Sequence, residues 1–248
     1  MSQIKYAIVL AAGMGVRLRP LTESMPKCFT EICGRPILKN TLTNLEKLGI
    51  DEVAIVIGYL KEKIMDVIGN KWGSMRISYI LNEIFDQTNT MYSLWLARSY
   101  LEKGTLLIEG DSFFEVEIIS KALAEDENRS LWVVDKFTEL YDGCMLTVDK
   151  ENRIQEIRII REKLPEYREN YFKSTGILKI THSLGVLFSK WLSDEKDREN
   201  TKVYYDLVLA KHVNDYPIYV CDITGMRWAE IDDIVDLQKA ERIFKNTF

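Results

Sequence analysis

The residues whose types and spacing could do chemistry are concentrated near the amino terminus. A short apolar run leads there into Leu10-Ala11-Ala12-Gly13-Met14-Gly15-Val16-Arg17-Leu18, and Pro26-Lys27 follows. The small residues would let the backbone approach a ligand, so that its N–H groups could bind phosphate oxygens, and Arg17 and Lys27 add positive charge. The segment is not a Walker loop, because it has no G-x-x-x-x-G-K-[ST], and it is not the dinucleotide motif, because Leu18 replaces the third glycine. An ordinary turn with two surface cations is the alternative, which the added Pro-Lys disfavours.

Two acidic positions from distant parts of the chain are candidate metal ligands. Asp111 follows the apolar run 105–108, and open α/β sheets bind ligands at the carboxyl ends of such strands. Asp232 precedes the last predicted helix. A pair of carboxylates suits Mg²⁺ bound to a nucleotide, because hard cations take oxygen ligands. Asp111 could instead cap the next helix, and Asp232 or Asp233 could cap the final one. Asp233 is also the alternative second ligand.

The elements that must position these residues alternate between strands and helices up to about residue 130. Nearly continuous apolar strands predict a parallel sheet that is covered on both faces. Strands are predicted at 6–10, 53–57, 76–81 and 105–108, and helices at 36–48, 60–69 and from Asn89 or Thr90 to Leu101. Later segments read as antiparallel strands at 131–134, 143–148 and 153–160, followed by helices near 183–192, 203–213 and 233–245. The expected fold class is α/β, a doubly wound, mixed but mostly parallel sheet with added antiparallel β elements.

Composition limits the classes of function. The chain has 248 residues, 46% of them hydrophobic, and a net charge of −5, which argues against a protein that coats nucleic acid. A local excess of positive charge in residues 1–35 instead suggests an anion site. The four cysteines and two histidines have neither zinc-site spacing nor a pattern for nucleophilic catalysis. The apolar run at the amino terminus is too short for a signal peptide or a membrane span, so we expect a cytoplasmic protein.

The loop and its surroundings resemble a known family. The pattern L-A-A-G-x-G-x-R-L…P-K, with Gly34-Arg35-Pro36-Ile37-Leu38 after it, is similar to the signature of the sugar-phosphate nucleotidyltransferases over essentially the full chain. The resemblance implies a nucleotide-diphospho-sugar transferase-like fold in one domain, 1–248. In it, 1–130 would bind nucleotide, 131–230 would bind the acceptor, and 231–248 would form the last helix. It also implies that Asp111 and Asp232 bind Mg²⁺, and that nucleotide is bound by Leu10, Ala11, Ala12, Gly13, Gly15, Arg17, Lys27 and Gly110.

Two further segments narrow the resemblance. Asn89-Thr90-Met91-Tyr92-Ser93-Leu94 and the closing W-x-E-I-D-D are similar to small bacterial cytidylyltransferases, which use CTP with phosphocholine, 2-aminoethylphosphonate or a related acceptor. This likeness adds Asn89, Thr90 and Ser93 to the expected nucleotide site. Glu109-Gly110-Asp111 and Asp142-Gly143 look closer to the phosphonate type, and no tryptophan lies near Asp142 to complete a choline cage.

The acceptor site is expected to include Tyr141, Asp142 and Lys173. The resemblance places Lys173 against the acceptor phosphate, whereas an exposed lysine at a strand edge is the alternative. Arg17, Lys27 and Lys173 are the expected catalytic residues in a transfer of CMP from CTP to a small phosphorylated or phosphono acceptor, with release of pyrophosphate. A hexose-1-phosphate nucleotidyltransferase that uses UTP or dTTP, and a catalytically silent nucleotide-binding subunit, are the rival interpretations. No nucleic acid or membrane partner is expected, and the chain would be a monomer or a homodimer.

Overall fold

The computed structural model describes residues 4–138, 143–161 and 169–245. Its strands are β1 (Tyr6–Ala11), β2 (Glu31–Ile32), β3 (Arg35–Pro36), β4 (Glu52–Ile57), β5 (Lys71–Trp72), β6 (Met75–Leu81), β7 (Thr105–Glu109), β8 (Ser112–Phe114), β9 (Leu131–Lys136), β10 (Gly143–Val148), β11 (Ile154–Ile160), β12 (Tyr171–Ile180), β13 (Tyr219–Asp222) and β14 (Trp228–Glu230). Its helices are α1 (Ile37–Lys47), α2 (Lys61–Ile68), α3 (Thr90–Leu96), α4 (Arg98–Leu101), α5 (Val116–Ala124), α6 (His182–Asp197), α7 (Tyr205–Lys211) and α8 (Ile234–Ile243).

One mixed sheet dominates the described residues. Its strand order is β11-β10-β12-β7-β1-β4-β6-β5, and β9 pairs with both β12 and β13. Strands β7, β1, β4 and β6 run parallel, whereas β12 joins β7 antiparallel and β10 and β11 continue antiparallel beyond it. The predicted fold class is confirmed, because a parallel centre carries an antiparallel extension.

Both faces of the sheet are buried, which explains the nearly continuous apolar strands. On β1, Ile8 packs into a cluster with residues of α3 and α6, and Val9 packs into the opposite cluster with residues of α1 and α5. Helices thus cover the sheet on both sides, as a doubly wound arrangement requires. The carboxyl ends of the parallel strands remain open for a ligand.

The predicted helix from Asn89 or Thr90 to Leu101 is two helices in the structure. Asn89 precedes α3 and accepts a hydrogen bond from the Thr90 N–H at 2.8 Å. At Ala97 the N–H bonds to the Leu94 carbonyl at 3.0 Å, and this tighter turn separates α3 from α4.

The helix-cap alternative is wrong for Asp111 and right for Asp233. Asp111 lies in the turn between β7 and β8, and no helix follows until Val116. Asp233 is the N-cap of α8, where its carboxylate accepts hydrogen bonds from Val235 and Asp236 at 2.7 and 3.0 Å.

The thiols are buried or half-buried. Cys28, Cys144 and Cys221 are buried and Cys33 is intermediate, and all four are unbonded to one another. Among the described residues, no helix combines the length and the apolar character that crossing a membrane would require.

Candidate active site

The glycine-containing loop folds back so that Lys27, near its end, packs against Gly15, near its beginning. Gly15 has φ of 60°, and a Cβ there would lie only 2.9 Å from Lys27 Cβ. Glycine is therefore required both by the backbone conformation and by the close approach. The Thr22 hydroxyl fixes the turn by donating to the Gly15 carbonyl at 2.7 Å.

A second glycine closes the gap between β1 and β7. The Gly110 N–H donates to the Leu10 carbonyl at 2.9 Å, and a Cβ on Gly110 would lie 2.5 Å from that oxygen. The end of β7 can therefore lie directly beside the start of the loop. This contact places Asp111 within reach of Lys27.

Four charged side chains meet at the mouth of the loop. Lys27 Nζ donates to Asp111 Oδ2 at 2.6 Å and to Asp232 Oδ1 at 2.7 Å. Arg17 Nη2 lies 2.7 Å from Asp232 Oδ2. Residues separated by some 200 positions in sequence therefore form one ion-pair network at the carboxyl end of the parallel strands.

The network determines the protonation of its members. Burial alone would lower the pKa of Lys27, but the charges of Asp111 and Asp232 outweigh burial and raise that pKa above its usual value. Burial alone would raise the pKa of Asp232, but Lys27 and Arg17 lower it. Lys27 is therefore a cation and Asp232 a carboxylate at neutral pH.

The carboxylates suit a divalent cation. Asp111 Oδ1 is buried and accepts no hydrogen bond from any residue that the structure describes. An unsatisfied buried acceptor is costly, and a hard cation would satisfy it. Asp232 contacts the same Lys27 ammonium as Asp111 does, so the two carboxylates lie close together. The Asp233 carboxylate instead caps α8. The donor set thus fits Mg²⁺, with Asp111 and Asp232 as the residues that would hold it.

The predicted nucleotide residues lie around one cavity, which we call the nucleotide-side cavity. Its lining includes Leu10, Ala11, Ala12, Gly13, Gly15, Lys27, Asn89, Thr90, Ser93, Gly110 and Asp111. Arg17 lies instead in the adjoining cavity. Phe85 and Thr88 also line the nucleotide-side cavity. They were not predicted from the sequence, because they lie in a stretch without a recognisable motif.

Buried hydrogen bonds hold the polar wall of the nucleotide-side cavity. Asn82 is buried and donates to the Thr88 hydroxyl at 3.0 Å and to the Ser93 hydroxyl at 3.1 Å. The Thr90 hydroxyl accepts from the Tyr205 N–H at 3.2 Å. This bond connects the start of α3 to the start of α7, and Thr90 lines both this cavity and the adjoining one.

The adjoining cavity, which we call the acceptor-side cavity, contains Lys173. The alternative of an exposed lysine at a strand edge is wrong, because Lys173 is 3% exposed and β12 has neighbours on both sides. Its Nζ lies 2.7 Å from Glu230 Oε2. The register of β12 shifts after Ser174, whose hydroxyl accepts from Trp132 Nε1 at 2.8 Å. Tyr141 and Asp142 lie outside the described residues.

The sequence missed the acidic character of the acceptor-side cavity. Glu109, Asp206 and Glu230 line it together with Asp111 and Asp232. Burial, with Asp206, Asp111 and Glu230 nearby, raises the pKa of Glu109 well above its usual range. Burial also raises the pKa of Asp206. Glu109 and Glu230 stand in motifs that contain the metal-ligand candidates, whereas Asp206 follows two tyrosines and gives no signal of its own.

The family assignment rests on the whole chain. Residues 6–245 match the family described as Nucleotidyl transferase. The chain belongs to this nucleotidyl transferase family. It is therefore a nucleotidyltransferase, and the predicted enzyme class is confirmed.

Individual relatives of this nucleotidyltransferase narrow its place in the family. A CMP-5'-(3-aminopropyl)phosphonate synthase from Streptomyces rubellomurinus is 30% identical over 246 residues, which are 95% of this chain and 38% of that protein. A choline-phosphate cytidylyltransferase from Streptococcus pneumoniae is 26% identical over 97% of this chain and 98% of its own. The solved inositol-1-phosphate CTP transferase of T. maritima is 27% identical, covers 99% of both chains, and superposes with a TM-score of 0.74. The predicted resemblance to cytidylyltransferases is confirmed.

Proposed function

We propose that this nucleotidyltransferase transfers CMP from CTP to a small, amine-bearing phosphate or phosphonate and releases pyrophosphate. The observation that carries the proposal is the convergence of Lys27, Asp111 and Asp232 within 2.7 Å contacts at the mouth of a small-residue loop. The names of the relatives support CTP as the nucleotide and a small phosphorylated or phosphono compound as the acceptor.

The loop is suited to bind the triphosphate. Its backbone is unobstructed at Gly13, where a Cβ would meet no atom within 4 Å, so phosphate oxygens can approach the N–H groups. Lys27 and Arg17 supply two positive charges at the same place. Lys27 pairs with Asp111 and Asp232, and Arg17 pairs with Asp232. A bound triphosphate would therefore compete with these carboxylates for the two cations.

The reaction is an in-line displacement at the α-phosphorus. An oxygen of the acceptor phosphate or phosphonate forms the new P–O bond, and the bond from the α-phosphorus to the bridging oxygen breaks with its electron pair leaving on pyrophosphate. The second pKa of a phosphate monoester is about 6, so the attacking oxygen is already largely ionised at neutral pH. No general base is required, and Lys27 and Arg17 lower the barrier by compensating negative charge on the leaving group.

Magnesium is the proposed cofactor, held by Asp111 and Asp232. When bound, it would supply positive charge that offsets the repulsion between the two anionic substrates. Lys173, beside Glu230 in the acceptor-side cavity, is proposed to bind the acceptor phosphate or phosphonate. Its ammonium is charged, because Glu230 raises its pKa despite burial, which alone would lower it.

A panel assay tests the proposal. Pyrophosphate release is measured with CTP, UTP, dTTP, ATP and GTP against 2-aminoethylphosphonate, phosphoethanolamine, phosphocholine, inositol-1-phosphate and glucose-1-phosphate. We expect release with CTP and at least one amine-bearing acceptor. Equal or better turnover of UTP or dTTP with glucose-1-phosphate would contradict the proposal, and no release from any pair would favour a silent nucleotide-binding subunit.

A further inference from the structure

Two carboxyl groups in the acceptor-side cavity have no role in the chemistry described above. Glu109 ends β7, and Asp206 lies in the first turn of α7. Asp206 is only 5% exposed, yet it lines the cavity together with Glu109. Helix α7 and strand β7 therefore bring two acidic groups to one wall of the site.

The other carboxylates of this cavity already have cationic partners. Asp111 and Asp232 pair with Lys27, Asp232 also pairs with Arg17, and Glu230 pairs with Lys173. Within the described parts of the chain, no ion pair includes Glu109 or Asp206. An ionised carboxylate that is buried without a cation is unfavourable, so a cationic ligand would complete the site.

The side-chain hydrogen-bond partners of the two carboxyl groups are neutral, and the charge of Lys173, which is paired with Glu230, acts on Asp206 from outside hydrogen-bond contact. The Tyr205 hydroxyl donates to Glu109 Oε1 at 2.6 Å. The Cys144 thiol donates a side-chain hydrogen bond to Asp206. A phenol and a thiol position the carboxyl groups without neutralising a negative charge.

We propose that Glu109 and Asp206 bind the primary ammonium group of the acceptor and select it over a trimethylammonium group. The inference rests on the proposed function, since it assigns one end of the same acceptor. The Lys173 cation would bind the anionic end, and the Glu109–Asp206 pair would bind the cationic end.

The chemistry of the pair favours a primary ammonium. Such a group has three N–H donors, which two carboxyl groups and the oxygen of Tyr205 can accept. A trimethylammonium group has no donor and is bound best by the faces of aromatic rings. Among the described lining residues, the aromatic one is Tyr204, and the Arg161 guanidinium lies over its ring with 5.7 Å to the centroid.

Acceptor discrimination by the unmodified enzyme tests the proposal. With CTP and Mg²⁺ saturating, kcat/KM is measured for 2-aminoethylphosphonate, phosphoethanolamine, phosphocholine and 2-hydroxyethylphosphonate. We expect at least one primary ammonium compound to exceed both phosphocholine and the hydroxyl compound by about 100-fold, because the latter two leave the carboxyl pair without a hydrogen-bonded cation. The two primary amines separate a phosphonate from a phosphate ester.

Variants assign the discrimination to the pair. In Asp206→Asn, the preference in kcat/KM for the primary ammonium acceptor over 2-hydroxyethylphosphonate is expected to fall to within about tenfold. The KM for CTP should stay unchanged. Glu117→Gln removes the same charge from an exposed position on α5 and should retain the wild-type preference. If Asp206→Asn fails to fold, Glu109→Gln serves as the second variant, and the wild-type panel still tests whether the discrimination exists.

Several outcomes would overturn the proposal. Phosphocholine or the hydroxyl compound used as well as the primary amines would do so while leaving cytidylyl transfer intact. An equal loss for every acceptor in Asp206→Asn would assign the residue a structural role. A changed Mg²⁺ requirement with an unchanged acceptor preference would assign the pair to a second divalent cation. Absence of pyrophosphate release from CTP with every acceptor would instead reject the proposed function itself.

Discussion

The nucleotide side and the acceptor side of the site are built in opposite ways. On the nucleotide side, one contiguous loop supplies backbone, small residues and the cation Lys27, and Arg17 of the same loop lines the adjoining cavity. On the acceptor side, β7, β10, β12, α7 and β14 each contribute side chains, and carboxyl groups outnumber the cations among the described lining residues. Binding phosphate can be achieved by a local backbone arrangement, whereas recognising a particular acceptor requires side chains from distant segments.

The largest expected effect lies where the two sides meet. Asp111→Asn keeps the size of the side chain but removes a charge that the proposed Mg²⁺ requires, so we expect kcat/KM to fall by at least about 1000-fold. Thermal unfolding without ligand should change little, because Asp232 still pairs with Lys27. Pyrophosphate release and melting temperature measure the two effects. Activity within tenfold of wild type would remove Asp111 from the reaction.

The next effect tests the cation of the nucleotide side. Lys27→Ala removes a positive charge from a largely buried position, which we expect to cost about 2–4 kcal/mol of transition-state stabilisation, or about 30- to 1000-fold in rate. Stability should also fall, because Asp111 and Asp232 lose their shared partner. Lys5→Ala is the matched control, since the Lys5 ammonium donates to the exposed Gly49 carbonyl at 3.0 Å, away from both cavities. Similar small losses from both variants would show that the loop does not bind the triphosphate.

A smaller effect is expected from variants that change the shape of the loop without changing its charge. Gly15→Ala places a Cβ 2.9 Å from Lys27 Cβ and forces alanine to φ of 60°, so we expect the KM for nucleotide to rise about tenfold. Gly13→Ala meets no atom within 4 Å in the protein alone and should leave the melting temperature unchanged. Thermal unfolding and nucleotide KM of both variants measure the difference. Gly15→Ala should also lower the melting temperature, so equal melting temperatures for the two variants would contradict the close approach at Gly15.

The smallest effect concerns Asp233, the neighbour of the proposed ligand. Asp233→Ala removes the cap of α8 and should cost about 1 kcal/mol of stability, whereas Asp233→Asn should be nearly neutral because Asn caps equally well. Neither change should alter the Mg²⁺ dependence of activity. A loss of activity in Asp233→Asn comparable to that of Asp232→Asn would make Asp233 the second metal ligand.

The sequence predicted the nucleotide side because its information is local. A buried strand, a loop of small residues and Pro26-Lys27 stand within one segment, and the carboxyl end of β7 directs Asp111 to the same edge by the geometry of parallel strands. The alternation of apolar runs likewise predicted the parallel centre of the sheet. Asp232 and Asp233 could not be separated from sequence, because both precede α8 and only the folded structure turns Asp232 toward Lys27.

The acceptor side was only partly predictable because its residues depend on tertiary packing. Lys173 could be named from a resemblance, but its burial depends on the pairing of β12 with β9 and β10. Asp206 meets Glu109 only because α7 packs against α3, where the Tyr205 N–H bonds to the Thr90 hydroxyl. Neither contact leaves a periodic or contiguous pattern in the chain.

The Mg²⁺ dependence of nucleotide-induced stabilisation tests the central claim most directly. The melting temperature is measured with and without CTP over a series of Mg²⁺ concentrations for the wild type, Asp111→Asn and Asp233→Asn. We predict that the CTP-induced shift grows with Mg²⁺ in the wild type and in Asp233→Asn but becomes independent of Mg²⁺ in Asp111→Asn. A shift in Asp111→Asn that follows Mg²⁺ as in the wild type would contradict a metal and nucleotide site at the junction of Lys27, Asp111 and Asp232.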